Sequence, residues 1–344
     1  MSLQIVNPLD IPNWDDLVLA TGKASFFHSS AWARVLHESY GYKPLYFASF
    51  ENGKLASLMP FMEVNSWLTG KRGVSLPFSD QVPVIAPDKM IFEDLVNSVT
   101  DYGNKAGWKY IEWRDGTLFP AEVNASESHY THERSLSKSE KELFSGLRDS
   151  TRRSIKKAGK AAVSVEISQS LDSIKCFYRL NCITRKRHGL PPQPLSFFEK
   201  IFEHVISKGY GIVVSAVHSG EAIASSVFFH FGKSAIYKYG ASDMAHQDLR
   251  PNNLVMWEAI KWFREKGLET FNFGRTEPEN EGLLQFKRGW GAEEDLLKYY
   301  RYDLKKKSFQ REHGSVNGLM NKVFTLSPVG LLRLLGSLLY KHAG

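Results

Sequence analysis

The feature that most constrains this chain is a strand-and-helix pattern met twice. Residues 43–64 read KPLYFASFENGKLASLMPFMEV, two apolar runs about an Asn-Gly pair. Residues 211–231 read GIVVSAVHSGEAIASSVFFHF, two runs about Ser-Gly. Each reads as a β-hairpin, because glycine accepts the positive φ that tight hairpin turns need. A further apolar run follows each hairpin, at 73–80 and at 234–242. Then come two stretches of helical period, DKMIFEDLVNSVTDYGNKAG and NNLVMWEAIKWFREKG. They close on Gly107 and Gly267, as helix C-terminal chemistry favours. The strand-like segments WKYIEWRD and LETFNFGR follow. Duplication of one β-β-β-α-β unit accounts for the pattern; two ordinary α/β halves that merely resemble each other are the alternative.

The fold class is therefore α/β, in two consecutive domains, which a length of 344 residues accommodates. The strand-like ESHYTHERSLS gives way to polar, helix-forming sequence near 136–145. That places domains at 1–140 and 141–310 and a helical tail at 311–344. Helices are predicted over 148–160 and 171–188, and Pro191, Pro192 and Pro194 break the chain before another over 196–207. In the tail, Ser327-Pro328 is an N-cap and first-turn pair for VGLLRLLGSLLYKH. That helix is apolar on most faces and too short to span a bilayer. It either packs on the protein's own core or lies on a membrane surface or a partner.

Charge and cysteine usage narrow the class further. Cys176 and Cys182 are the only cysteines, six apart on a predicted helix, so they point to different faces. No disulfide, no structural zinc cluster and a reducing compartment are expected. The amino terminus MSLQIVNPLDIPNWDD lacks the basic lead and apolar core of a signal peptide, so a cytoplasmic location is expected, including the inner face of the membrane. The formal charge of +7 concentrates in 148–187, where eleven Lys and Arg face three carboxylates. A local positive field implies an anionic partner, unless these residues are only a solvated helix face. Sequence-specific DNA binding is not expected, since no known motif or aromatic interleaving accompanies the run.

Several chemistries lose support by absence. The sequence contains no phosphate-binding G-x-x-x-x-G-K-[ST] loop and no G-x-G-x-x-G after a strand. It also lacks a G-x-S-x-G elbow and H-E-x-x-H, and its eleven histidines show no ligand spacing, so no metal site is expected. The positive signal lies between Tyr237 and Gly291. YKYGASDMAHQDLRPNNLVMWEAI, which includes Tyr239, joins a strand to a helix through a polar loop ending in Arg250, Pro251, Asn252 and Asn253. A helix start there attracts anions, because its first N–H groups lack intrahelical partners; alternatively Asn252 only caps the helix. Arg275 follows Gly274 at the end of a strand, where α/β sheets place ligand contacts. Lys287 and Trp290 lie on or just past a short helix. Lys287 either presents its charge inside a cleft, where it stabilises a developing oxyanion, or snorkels beside Trp290.

Taken in order, SLPFSD (75–80), RPNN (250–253), FGR (273–275) and FKRGWG (286–291) resemble the FemAB-like proteins of the GNAT superfamily. The resemblance runs from about Phe26 to Tyr302. It implies two tandem GNAT-like domains of acyl-CoA N-acyltransferase fold and transfer of an acyl or aminoacyl group to an amine. The expected acceptor belongs to the cell envelope or to polysaccharide metabolism. Asp80 matches an acidic position of the family's cleft, and Lys287 the lysine assigned to transition-state stabilisation. Tyr239, Arg250, Asn252, Asn253, Arg275 and Trp290 are the candidate donor- or acceptor-binding residues. No tightly bound cofactor is expected; acyl-CoA or aminoacyl-tRNA is the implied co-substrate, and a lipid- or nucleotide-linked precursor a further anionic partner. The chain departs from the family pattern in placing Arg250 and Asn252 where the acyl-CoA loop has glycines, and in lacking sustained heptads for a coiled-coil arm. A non-catalytic module that binds an anionic glycan or lipid-linked sugar is the rival reading.

Overall fold

A computed structural model describes residues 3–311 and 318–344. Residues 1–2, at the amino terminus where no signal peptide is expected, and 312–317, at the start of the expected tail, lie outside the described residues. The chain opens with β1 (Gln4–Val6), α1 (Trp14–Leu19), α2 (Ser30–Tyr40), β2 (Lys43–Glu51), β3 (Lys54–Ser66), β4 (Gly70–Val74), α3 (Lys89–Ala106) and β5 (Tyr110–Trp113). It continues through β6 (Glu127–Ser135), α4 (Glu140–Ser145), α5 (Asp149–Lys160), β7 (Ser164–Ser168), α6 (Leu171–Arg187) and α7 (Leu195–Ile201). Then follow β8 (Gly211–His218), β9 (Glu221–Phe231), β10 (Ser234–Ser242), α8 (Pro251–Glu265), β11 (Thr270–Asn272) and α9 (Glu281–Arg288). The last elements are β12 (Glu293–Asp303), β13 (Ser308–Phe309), α10 (Gly318–Leu326) and α11 (Val329–Ala343).

Two compact units result. The first gathers Met1–His129, Leu296–Ser315 and Tyr340–Gly344; the second gathers Tyr130–Asp295 and Val316–Leu339. In the first unit, β1, β2, β3 and β4 pair antiparallel in that order, β4 pairs β5 in parallel, and β12 closes on β5 antiparallel. In the second, β7, β8, β9 and β10 pair antiparallel, β10 pairs β11 in parallel, and β6 closes on β11 antiparallel. The same order of hairpin, third strand, helix and parallel fourth strand occurs in both.

The repeat extends to details. Both hairpin turns hold two successive residues at positive φ, Asn52 (50°) and Gly53 (75°), and Ser219 (52°) and Gly220 (81°). That is the type I′ geometry whose twist matches its flanking strands. Each hairpin also buries a cross-strand serine pair, Ser49–Ser57 at 2.7 Å and Ser215–Ser225 at 2.8 Å between hydroxyls. The helix of the repeat ends in a left-handed glycine each time, Gly107 at 72° and Gly267 at 78°.

The two cores are aromatic. In the first unit, Phe47, Phe61, Trp108 and Trp113 pack between α3 and the sheet. There the Trp108 indole N–H donates to Glu63 at 2.7 Å. In the second unit, Phe228 of β9 meets Phe263 of α8, whereas its neighbour Phe229 meets Tyr239. Tyr239 in turn touches Phe177 of α6 and Phe198 of α7. Adjacent strand residues point to opposite faces, so α8 lies on one side of this sheet and α6 and α7 on the other.

Candidate active site of the second unit

The site grows from the parallel pair β10 and β11. Their pairing runs only from Ser234↔Thr270 to Ile236↔Asn272, although β10 continues to Ser242. β11 ends at Asn272, so beyond Ile236 β10 runs on without it. In the same stretch the β9–β10 register slips between Tyr237 and Tyr239, a β-bulge. A bulge shifts side-chain alternation, and it explains why two tyrosines two residues apart face different ways. Tyr237 packs on Phe228, on the α8 side, and Tyr239 among Phe177, Phe197, Phe198 and Phe229, on the other. Gly240 makes room for this: a Cβ there would lie 1.7 Å from the Tyr237 hydroxyl oxygen. Burial raises the Tyr237 phenol to about 12, against the lowering effect of its bond with Ser226.

The start of α8 stands at the far end of β10. Arg250, exposed and at φ 61°, is the N-cap, and Pro251 is the first helical residue. Among the described residues, no side chain caps this helix. Asn252 therefore does not cap it; its amide donates to the Ser242 hydroxyl at 3.2 Å and so ties the helix start to the strand end. The Asn253 N–H turns back to the Arg250 carbonyl at 3.1 Å.

Lys287 of α9 stands at the corresponding end of β11. It is only 2% exposed, and its ammonium donates to the carbonyls of Gly274 (2.8 Å) and Arg275 (3.0 Å). The Gly274 N–H is itself held by the Asn272 side chain at 2.7 Å, and Gly274 has φ 71°. The loop after β11 is thus fixed at its backbone and pinned by a buried cation. Trp290, fully buried, packs on Phe273 and Phe286 and belongs to the core of the unit.

Sequence reasoning passed over His132 on β6. Its backbone carbonyl accepts from Phe273 N–H at 2.8 Å, directly before the pinned loop. Its Nε2 lies 2.8 Å from Glu294, which Arg288 grips at 2.6 and 2.8 Å. Burial lowers the His132 pKa, Glu294 pulls it up, and the nearby Lys287 charge lowers it again. Nothing local in ESHYTHERS announces this role, since Glu294 is 162 positions away.

Asp80, the remaining sequence candidate, belongs to the first unit. It sits in the loop after β4, the topological counterpart of the loop between β10 and α8. Leu76 (φ 53°) and Phe78 (φ 61°) are both in the left-handed region, a strained conformation for branched and bulky side chains. The surroundings enforce it. Arg114 donates to the Ser79 carbonyl at 3.2 Å, Val82 N–H donates to Arg114 at 3.1 Å, and the Tyr299 hydroxyl donates to the Asp80 carbonyl.

The basic segment does not form one patch. The α5 residues Ile155 and Ala158 share a core with Trp257 and Ile260 of α8, whereas α6 packs on the opposite face of the sheet. The cations of α5 and of α6 are therefore separated by the sheet.

Residues 145–288 match the family model described as an acetyltransferase (GNAT) domain. A Lipid II:glycine glycyltransferase of Staphylococcus haemolyticus (strain JCSC1435) is 34% identical over 80 residues, which cover 22% of this chain and 19% of that protein. The chain thus spans about a fifth of the curated relatives it matches. A crystal structure of FemX superposes with a TM-score of 0.69 at 16% identity, covering 89% of this chain and 98% of FemX. A tandem GNAT protein from the clavulanic acid biosynthesis pathway gives 0.56 at 12% identity, covering 88% and 98%. These likenesses show the fold, two tandem GNAT-like halves. Among the described residues, no helix is long and apolar enough to cross a membrane.

Proposed function

We propose that this protein is an N-acyltransferase of FemAB-like type, moving an acyl or aminoacyl group from an activated donor to an amine on a cell-envelope acceptor. One observation carries the reading: the uncapped start of α8 and the Lys287 ammonium stand at the C-terminal ends of two adjacent parallel strands whose pairing has stopped. Ligands of α/β sheets bind at such ends, where strands diverge. Pro251 has no N–H and the Asn253 N–H is taken by the Arg250 carbonyl, so what the helix start offers a phosphate of the donor is chiefly the positive end of its dipole.

In the reaction, the amine nitrogen attacks the acyl carbonyl carbon, and a C–N bond forms. The donor's C–S or C–O bond then breaks, and the proton lost by the amine ends on the departing thiol or hydroxyl. A cation fixed beside the carbonyl stabilises the oxyanion of the tetrahedral intermediate without having to reorganise. Lys287 is the group proposed for that role, with Arg275 beside it. Asp80 is kept as proton acceptor on the strength of the family resemblance alone. Acyl-CoA and aminoacyl-tRNA are the donor classes to test; the glycyltransferase relatives favour an aminoacyl donor and a peptidoglycan-type acceptor.

The rival, a binding module without chemistry, draws on the same lysine. Its ammonium is engaged by two backbone carbonyls, which a purely structural pin also requires. The test is acyl transfer followed by mass spectrometry, with acyl-CoA and charged tRNA as donors and amine-bearing peptidoglycan precursors as acceptors. Turnover by the wild type that is lost in a folded Lys287→Ala variant supports the transferase. Unchanged turnover removes Lys287 from the mechanism, and binding of precursor without turnover by the wild type favours the module.

A further inference from the structure

The carboxyl-terminal helices leave an apolar surface uncovered. In α10 and α11, Val323, Leu326, Leu331, Leu334 and Leu338 are between 47% and 85% exposed. Leu331, Leu334 and Leu338 are spaced i, i+3 and i+7, so they form one stripe along α11. The opposite side of the helix is seated: Leu332 is fully buried, and a Cβ on Gly336 would lie 1.9 Å from the Pro192 carbonyl oxygen. The helix is therefore docked on its unit with a leucine stripe facing outward.

Beside the stripe runs a groove of about 280 Å³ between α6, the start of α7 and α11. Ile183, Leu195 and Val329 contribute its apolar lining, and Lys175, Arg179 and Arg333 stand at it as cations. The Arg333 guanidinium lies over the Tyr178 ring at 5.4 Å. No acidic residue occurs anywhere in 313–344, whereas Lys322, Arg333 and Lys341 do. A stripe of leucines on a segment without acidic side chains, flanked by cations of which only Lys175 has an acidic neighbour on α6, Asp172 at 4.0 Å, complements a surface that is apolar within and anionic outside.

We propose that the α6–α11 face docks the protein on a bilayer containing anionic phospholipid, with the leucine stripe entering the headgroup–acyl boundary and Lys175, Arg179 and Arg333 meeting lipid phosphates. The helix lies on the membrane and does not span it. This proposal is independent of the transferase reading, because none of these residues belongs to the site built on Lys287.

The test is co-sedimentation of the full chain with vesicles of phosphatidylcholine alone, or of an equimolar mixture with phosphatidylserine. Retention on the mixed vesicles, weakened when salt is raised to about 0.5 M, is expected. A Leu331→Glu/Leu334→Glu/Leu338→Glu variant should lose about tenfold or more in partitioning. A Lys175→Ala/Arg179→Ala/Arg333→Ala variant should bind mixed vesicles no better than neutral ones. Both variants should keep wild-type turnover on a water-soluble acceptor, which separates failure here from failure of the transferase reading. Equal, salt-insensitive recovery with both vesicle types overturns the proposal, as does absence of binding. So does a wild-type dimer in light scattering that the leucine variant converts to a monomer, because a second copy would then be the occupant.

Discussion

The ammonium of Lys287 and the backbone carbonyl of Gly274 are 2.8 Å apart, a contact that fastens α9 to the loop leaving β11. The lysine that the family resemblance singles out is therefore also part of the scaffold. Truncating it leaves two carbonyls of that loop without their donor, in a place largely closed to water.

Lys287→Ala is accordingly expected to reduce both stability and turnover. Unfolding in urea should show a loss of about 1–3 kcal/mol from the unsatisfied carbonyls. Turnover should fall about 100-fold or more under conditions where the variant is still folded. A stability loss with intact turnover would mark the residue as structural.

The second expectation concerns His132. Glu294 raises its pKa, so Glu294→Gln should lower it further, because the bond and the negative charge that favour the imidazolium are weakened together. Nitrogen-detected NMR titration of the imidazole reads this directly. An upward shift would mean that the 2.8 Å contact is not the one controlling this ring.

A third concerns acid stability. Burial alone would push Glu112 up, but Arg114 and Arg301 hold it at about 2. With the folded value depressed below the ordinary 4.5, the stabilisation is full above 4.5 and disappears as pH falls towards 2. Glu112→Gln should flatten the dependence of unfolding free energy on pH in that window, relative to wild type. At neutral pH the same variant should be less stable, by about 3–5 kcal/mol, since two arginines lose their buried partner. Denaturant titrations at a series of pH values check both.

The paired serines give a fourth. Ser49→Ala alone strands the buried Ser57 hydroxyl and should be destabilising by about 1–3 kcal/mol, whereas the double Ser49→Ala/Ser57→Ala should recover most of that loss. Ser215 and Ser225 should behave alike if the two hairpins are equivalent. A double variant worse than either single would show that the hydroxyls are held by something besides each other.

Much of the fold was legible because its signals are local. The hairpins announced themselves through Asn52-Gly53 and Ser219-Gly220, and the repeated helices through Gly107 and Gly267, all of which the structure places at positive φ. The predicted helix over 148–160 is α5, and the one over 171–188 is α6. What escaped depends on contacts across long stretches of chain. Periodicity cannot say which face of a sheet a helix will cover, so the basic residues of α5 and α6 read as one segment. The bulge that turns Tyr239 away from Tyr237 is a matter of register with β9, invisible in YKYGAS. Likewise the grip of Asn252 on Ser242 and the strain at Leu76 and Phe78 belong to tertiary surroundings rather than to propensity.

The separation of the two basic helices by the sheet limits how a polyanion can respond to them. α5 carries five Lys and Arg, at 152, 153, 156, 157 and 160, and α6 five more, at 175, 179, 185, 186 and 187. A duplex bound along either face displaces condensed counterions from that face alone. The logarithmic fall of its association constant with salt, as far as this segment supplies it, can then be no steeper than about −5, half of what the linear sequence promises.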